Sequence, residues 1–139
     1  MARVKLIPLP SYRFKNEIEV RYTDVNMGGH LGNSQMAELI HQVRFLVLKG
    51  LGLNEANLGD GKTGLTVSDL VINYLKEGFP GDILLFETEI KDIDDKSFRM
   101  YHKVTKKDKV VALAEVGLVA FSFFTRQTGQ IPTEFKNLF

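Results

Sequence analysis

The chain contains no cysteine. Disulfide bonds, thiolate catalysis and zinc sites built on cysteine are therefore excluded. Charge of one sign is also scarce: over 139 residues, 18 basic and 17 acidic side chains leave a formal net charge of +1. A nucleic-acid binder normally carries a basic stripe, so this balance argues against one. No segment approaches the roughly 20 consecutive apolar residues that a bilayer span needs. The first ten residues, with Pro8 and Pro10, hold no apolar run of the kind a secretory signal requires. A cytoplasmic protein with no membrane partner is the default expectation. There is no internal repeat, low-complexity tract or linker, and the length suits one domain over residues 1–139.

The hydrophobic pattern predicts one helix among five strands. Ile18, Val20 and Tyr22 alternate with Glu17, Glu19 and Arg21, which predicts a strand over 16–23. A glycine-dense loop follows, Met27-Gly28-Gly29-His30-Leu31-Gly32-Asn33. Met36, Leu39, Ile40, Val43 and Val47 then recur at helical spacing, with Asn33 or Ser34 as a candidate N-cap and Gly50 and Gly52 as terminators. Beyond a polar loop at 54–63, strands are predicted over 64–76, 83–93, 97–106 and 110–125, the last three as an antiparallel meander. The helix is too apolar to stand alone. The expected fold is α+β, with the antiparallel sheet wrapped round the helix.

The glycine-rich loop carries the most chemical information. Its spacing is neither the dinucleotide-binding G-x-G-x-x-G nor a phosphate-binding loop ending in Gly-Lys-Ser/Thr. What it offers is a tight turn feeding the start of a helix. Unpaired first-turn N–H groups at the positive end of the helix dipole can polarise a carbonyl and hold an oxyanion.

The run Arg21-Tyr22-Thr23-Asp24-Val25-Asn26-Met27-Gly28-Gly29-His30-Leu31-Gly32-Asn33 resembles the signature of hot-dog-fold acyl-CoA thioesterases of the hydroxybenzoyl-CoA thioesterase type, roughly R-Y-x-D/E-x-D-x-x-G-H-V-N-N. Asn73-Tyr74-Leu75-Lys76 with Gly81-Asp82, then Ala120-Phe121 and Thr128-Gly129-Gln130-Ile131-Pro132, follow in the order such proteins have them. The resemblance spans about 16–134. It implies a long central helix wrapped by a curved five-stranded antiparallel sheet. It also implies a coenzyme A thioester substrate, a homodimer or homotetramer with sites at the subunit interface, and no cofactor. The backbone N–H of Asn33 would face the thioester carbonyl, and Lys76 would meet a phosphate of coenzyme A. One position departs from the pattern. Asn26 stands where the catalytic aspartate is expected, and an amide is neither a carboxylate base nor a nucleophile; it can position water or substrate by hydrogen bonding.

The expected catalytic residues are Asn26, Asn33, His30 and His41, with His41 the leading candidate base because imidazole is matched to proton transfer near neutral pH. Glu38 and Asp69 stand behind it. The expected substrate-binding set is Asp24, Gly29, Glu38, Asp69 and Lys76. Plainer alternatives stand beside several of them: turn bonding for His30 and Asp24, a half-buried helix histidine for His41, a solvated helix carboxylate for Glu38 and a solvated lysine for Lys76; Asp69 interrupts the apolar face of Val67 and Val71, where an acid needs a partner. The three histidines are too scattered for a metal site. The rival functional reading is a non-catalytic acyl-CoA-binding or sensing protein, which loss of the aspartate would suit. A dehydratase of the same fold lacks its helix motif here.

Overall fold

The computed structural model describes residues 1–139. The elements run β1 (Phe14–Glu19), α1 (Asn33–Gly50), β2 (Gly64–Tyr74), β3 (Ile83–Lys91), β4 (Ser97–Lys106), β5 (Lys109–Ser122), β6 (Gln127–Thr128) and α2 (Thr133–Lys136). The main strands lie side by side in the order β1-β3-β4-β5-β2, every neighbour antiparallel, and β6 adds a short pairing to the end of β5. This is the expected hot-dog arrangement, with α1 as the filling and the sheet as the wrap.

Strand alternation explains the packing. Phe98, Met100, His102 and Val104 of β4 lie opposite Leu118, Val116, Ala114 and Ala112 of β5, so all eight share one face. Leu84, Phe86, Thr88 and Ile90 of β3 continue that face. Against it α1 buries Met36, Leu39, Ile40, Val43, Val47 and Leu48 in one core of 24 residues. From the C-terminal turn, Phe135 is fully buried against Phe98, ring centroids 4.7 Å apart.

Several sequence expectations shift. The first strand ends at Glu19, and Tyr22–Asp24 form a single 3₁₀ turn in place of the predicted strand end. Neither Asn33 nor Ser34 caps α1; Gly32 is the N-cap, without a side chain to offer. Gly50 stays helical, and Gly52, at φ +76, takes the left-handed turn that ends the helix.

The lead-in segment has a defined place. The carboxamide of Asn73 accepts from the N–H of Leu6 at 2.7 Å and donates to the carbonyl of Val4 at 2.9 Å. Residues 4–13 thus cross the outer face of the sheet, from the β1 edge to β2. Elsewhere on that face a bulge between Val67 and Asp69 turns the Asp69 carboxylate toward Arg99 (2.6 Å), which also pairs with Glu115. Gly117 lies opposite Asp69, and a Cβ there would come within 1.9 Å of the carboxylate and 2.6 Å of the guanidinium. Gly117→Ala is therefore expected to part the Asp69–Arg99 pair but to change stability by less than about 1 kcal/mol, because the loss of a partly exposed ion pair is offset by alanine's advantage over glycine in a strand; denaturant unfolding checks this.

Candidate active site

The loop between β1 and α1 is built largely from its own backbone. Asp24 is 2% exposed, and its carboxylate accepts the Arg21 N–H (2.8 Å) and both arms of the Arg21 guanidinium (2.9 and 3.2 Å). The hydrogen bond from Arg21 holds its pKa below the ordinary aspartate value against the opposing effect of burial. Asp24 is thus a closed structural pair, and its carbonyl accepts the Gly32 N–H at 3.1 Å. The turn closes through Asn26 N–H to the His30 carbonyl and Gly29 N–H to the Asn26 carbonyl, both 3.0 Å. Gly29, solvent-facing at φ +76, supplies the left-handed step. The Leu31 N–H donates to the Gly78 carbonyl at 2.7 Å, fastening the loop to the β2–β3 turn.

This architecture aims three groups at one place. Asn26 Oδ1 accepts from the Gly28 N–H at 2.9 Å, which leaves the amide NH₂ without a protein partner. His30 Nδ1 lies 3.0 Å from the Leu31 carbonyl. A carbonyl only accepts, so Nδ1 carries the proton and Nε2 of the neutral ring presents a lone pair. Helix α1 begins with no side-chain cap, so the N–H groups of Asn33, Ser34 and Gln35 have no partner in the chain.

Asn26, His30 and Asn33 line one cavity of about 290 Å³, together with Leu31, Tyr74, Leu75, Lys76 and Glu77. Tyr74 O–H donates to the Asn33 carbonyl at 2.8 Å, tying the end of β2 to the first helical turn. Burial raises the Tyr74 pKa, keeping the phenol protonated as that donor. Glu77 carries the carboxylate nearest His30 Nε2, at 3.9 Å. The sequence-based set of site residues contains neither Tyr74 nor Glu77. The run Tyr74-Leu75-Lys76 was the signal for the tyrosine, whereas nothing in the sequence marks Glu77.

The other candidates stand elsewhere. His41 is eight residues beyond Asn33, about 12 Å along the helix axis. It lies on an exposed face with Nε2 3.4 Å from Glu55, which also holds the buried Arg44 at 2.6 Å. Glu38 lines a separate open cleft of about 530 Å³ with Glu17, Glu19, Arg21 and Gln42. That cleft is larger but offers no uncapped helix end. Asp69 is committed to Arg99, whose hydrogen bond lowers its pKa. No group of three or more His, Asp or Glu side chains is arranged to hold a metal ion, and no helix is long and apolar enough to cross a membrane.

Comparison with known proteins agrees with this geometry. A family model described as the thioesterase-like superfamily matches residues 20–139. Among solved structures, a 1,4-dihydroxy-2-naphthoyl-CoA thioesterase from Synechocystis superposes with a TM-score of 0.80 at 19% identity, over 89% of this chain and 93% of its own. A gentisyl-coenzyme A thioesterase gives 0.79 at 20% identity, over 88% and 99%. A protein from Aquifex aeolicus gives 0.83 at 17% identity, over 91% and 98%. At these identities the likeness is one of fold. No curated protein sequence matches the chain.

Proposed function

We propose that this chain, which belongs to the thioesterase-like superfamily, hydrolyses an acyl-coenzyme A to the free acid and coenzyme A. The observation that carries this is the uncapped start of α1 opening on the cavity that holds His30 and Asn26. In the reaction, His30 Nε2 takes a proton from a water as its oxygen attacks the thioester carbonyl. The carbonyl becomes an oxyanion held by the N–H of Asn33 at the positive end of the helix. Asn26 donates from its free amide to water or substrate. Collapse of the intermediate breaks the C–S bond, and the thiolate leaves with the proton that His30 returns.

A panel of short, long and aromatic acyl-CoAs, with released thiol trapped by a dye, tests the reading. Stoichiometric release of coenzyme A from at least one class is expected; none from any class overturns it. The observation favouring the rival, binding without turnover, is the amide at position 26. Tight acyl-CoA binding with no release would establish that reading instead.

We also propose that two copies pair along β2. This strand is an open edge, and its inward-facing Val67, Leu70 and Tyr74 are 45%, 42% and 52% exposed. An edge this long and apolar is a template for pairing. Glu55 sits at the start of β2, its carbonyl accepting the Leu65 N–H, while Tyr74 ends the strand at the cavity. Antiparallel pairing sets the start of one strand beside the end of the other. The exposed His41–Glu55 pair of one copy then approaches the cavity of its neighbour, so the helix histidine keeps a place in the proposal. Light scattering after size exclusion is expected to report a dimer or a multiple of it; a stable monomer at micromolar concentration would exclude the pairing.

A further inference from the structure

Glu77 is the one carboxylate that lines the candidate active-site cavity. Its one ionic neighbour is His30, with Nε2 3.9 Å from the Glu77 carboxylate. Lysines line the adjoining cleft on its other side, yet none pairs with it; Lys106 instead holds Asp82 at 2.7 Å. The Glu77 side chain is more than half exposed, and an exposed pair of this length adds only about 0–1 kcal/mol to stability. Folding does not require this carboxylate at the mouth of the cavity.

The backbone sets the pair. The N–H groups of Leu75 and Lys76 both donate to the Val111 carbonyl, at 2.8 and 3.0 Å, and the Gly78 carbonyl accepts from the Leu31 N–H at 2.7 Å. Glu77 is the residue between those anchors. His30 directly precedes the Leu31 donor, and Glu77 directly precedes the Gly78 acceptor, so one hydrogen bond brings the two side chains together. The ring is held in turn by Nδ1 on the Leu31 carbonyl at 3.0 Å. Nε2 of the neutral ring and the carboxylate are then both acceptors and cannot bond each other. A molecule that donates two hydrogens satisfies both. Across the 3.9 Å gap, a water about 2.8 Å from each atom has its two acceptors roughly 90° apart, close to its own bond angle. Its lone pairs then point away from both.

We propose that Glu77 is a catalytic residue: with His30 it holds the attacking water, and it supplies from the β2–β3 turn the carboxylate that Asn26 cannot. The proposal rests on the thioester-hydrolase reading. As the water oxygen bonds to the thioester carbon, one of its protons passes to His30 Nε2 while the other O–H stays intact and bonded to Glu77. The carboxylate stabilises the positive charge that develops on the ring beside it. The C–S bond then breaks with its electron pair on sulfur, and the thiolate takes the proton back from His30. The acid product gives up its remaining proton through Glu77 to solvent, which returns both side chains to their starting state.

The test is steady-state kinetics of the full chain, as wild type, Glu77→Gln and Glu77→Asp, on the acyl-CoA that the wild type turns over best, with thermal unfolding of each. Glutamine keeps the size of the side chain and loses its charge; aspartate keeps the charge and shortens the reach. Glu77→Gln is expected to lower kcat about 10- to 100-fold, less than loss of the proton acceptor itself, with KM within about twofold of the wild type. Glu77→Asp should be faster than Glu77→Gln, because the charge matters more than the shape. Both variants should unfold at the wild-type temperature, since an exposed pair adds little to stability; a slower enzyme of unchanged stability excludes a merely structural role. A Glu77→Gln variant with wild-type kcat, a change confined to KM, or a Glu77→Asp variant no faster than Glu77→Gln overturns the role of Glu77 and leaves the hydrolase reading intact. A wild type that releases no coenzyme A from any acyl-CoA overturns both.

Discussion

His30→Ala is expected to lower kcat for thioester hydrolysis by about 10²–10⁴-fold and to leave KM nearly unchanged. The imidazole is oriented before substrate arrives: Nδ1 is fixed on the Leu31 carbonyl at 3.0 Å, and Leu31 is itself held to Gly78. Nε2 is left as the proton acceptor at the mouth of the cavity. Lys76, Leu75 and the helix start line the cavity independently of the ring, so substrate binding is expected to survive its loss. A Cβ on Gly28 would sit 3.0 Å from Nε2, and Gly28→Ala should give a milder fall in kcat by displacing the ring. Steady-state kinetics on the best acyl-CoA of the panel decide the matter. If His30→Ala keeps wild-type turnover while His41→Ala in the assembled oligomer abolishes it, the base comes from the neighbouring helix and the assignment to His30 is wrong.

The fold was legible wherever one periodicity held without interruption. The apolar stripe from Met36 to Val47 specified α1, and the alternation through 83–93 and 97–106 specified β3 and β4, β3 ending two residues early at Lys91. It was least legible where a side chain serves a turn. Arg21 and Tyr22 continue the strand alternation, yet the pairing of Arg21 with Asp24 closes a 3₁₀ turn that costs the predicted strand its last residues. Asp69 looked like an acid on an apolar face because period-two counting assumes no bulge. One extra residue between Val67 and Asp69 reverses the face, and the carboxylate meets Arg99. The short α2 went unseen because four residues give no periodicity to read.

The candidate site divides along the same line. Asn26, His30 and Asn33 were readable because they fall within one contiguous loop whose geometry is local. Tyr74 and Glu77 enter the cavity only through the position of β2 relative to the helix, which no local pattern reveals. The sequence reads His41 as a base or a half-buried helix histidine, whereas the structure exposes it, and helical periodicity cannot say what faces it. Within one chain that is Glu55, and the rest depends on the second copy.

Lowering the pH from about 7.5 to 5 is expected to remove roughly 2 kcal/mol of stability through His102 alone. This ring is 1% exposed, directly across the sheet from Thr88, whose Oγ1 lies 2.8 Å from Nδ1. Nε2 has no partner. A charged imidazole needs two acceptors and finds only one hydroxyl, and desolvation, assisted by the Arg44 guanidinium, pushes its pKa down to about 3. In the unfolded chain the ring titrates near the ordinary 6.5. The unfolded state therefore binds the extra proton throughout the interval between those values. The stability present above 6.5 is lost progressively as pH falls toward 3. The loss at pH 5 hardly depends on the precise folded value, because the native ring is still neutral there. Asp24, Asp69 and Asp82 also have lowered pKa values, but unfolded carboxylates take up protons mainly nearer pH 4, so the upper part of the window belongs to the histidine. Denaturant unfolding at the two pH values should show the drop, as should a fall in Tm of roughly 5–8 °C. His102→Gln keeps a polar group against Thr88 but cannot titrate, and its stability should stay nearly level over the same interval. A His102→Gln variant that loses as much stability as the wild type would locate the acid sensitivity elsewhere.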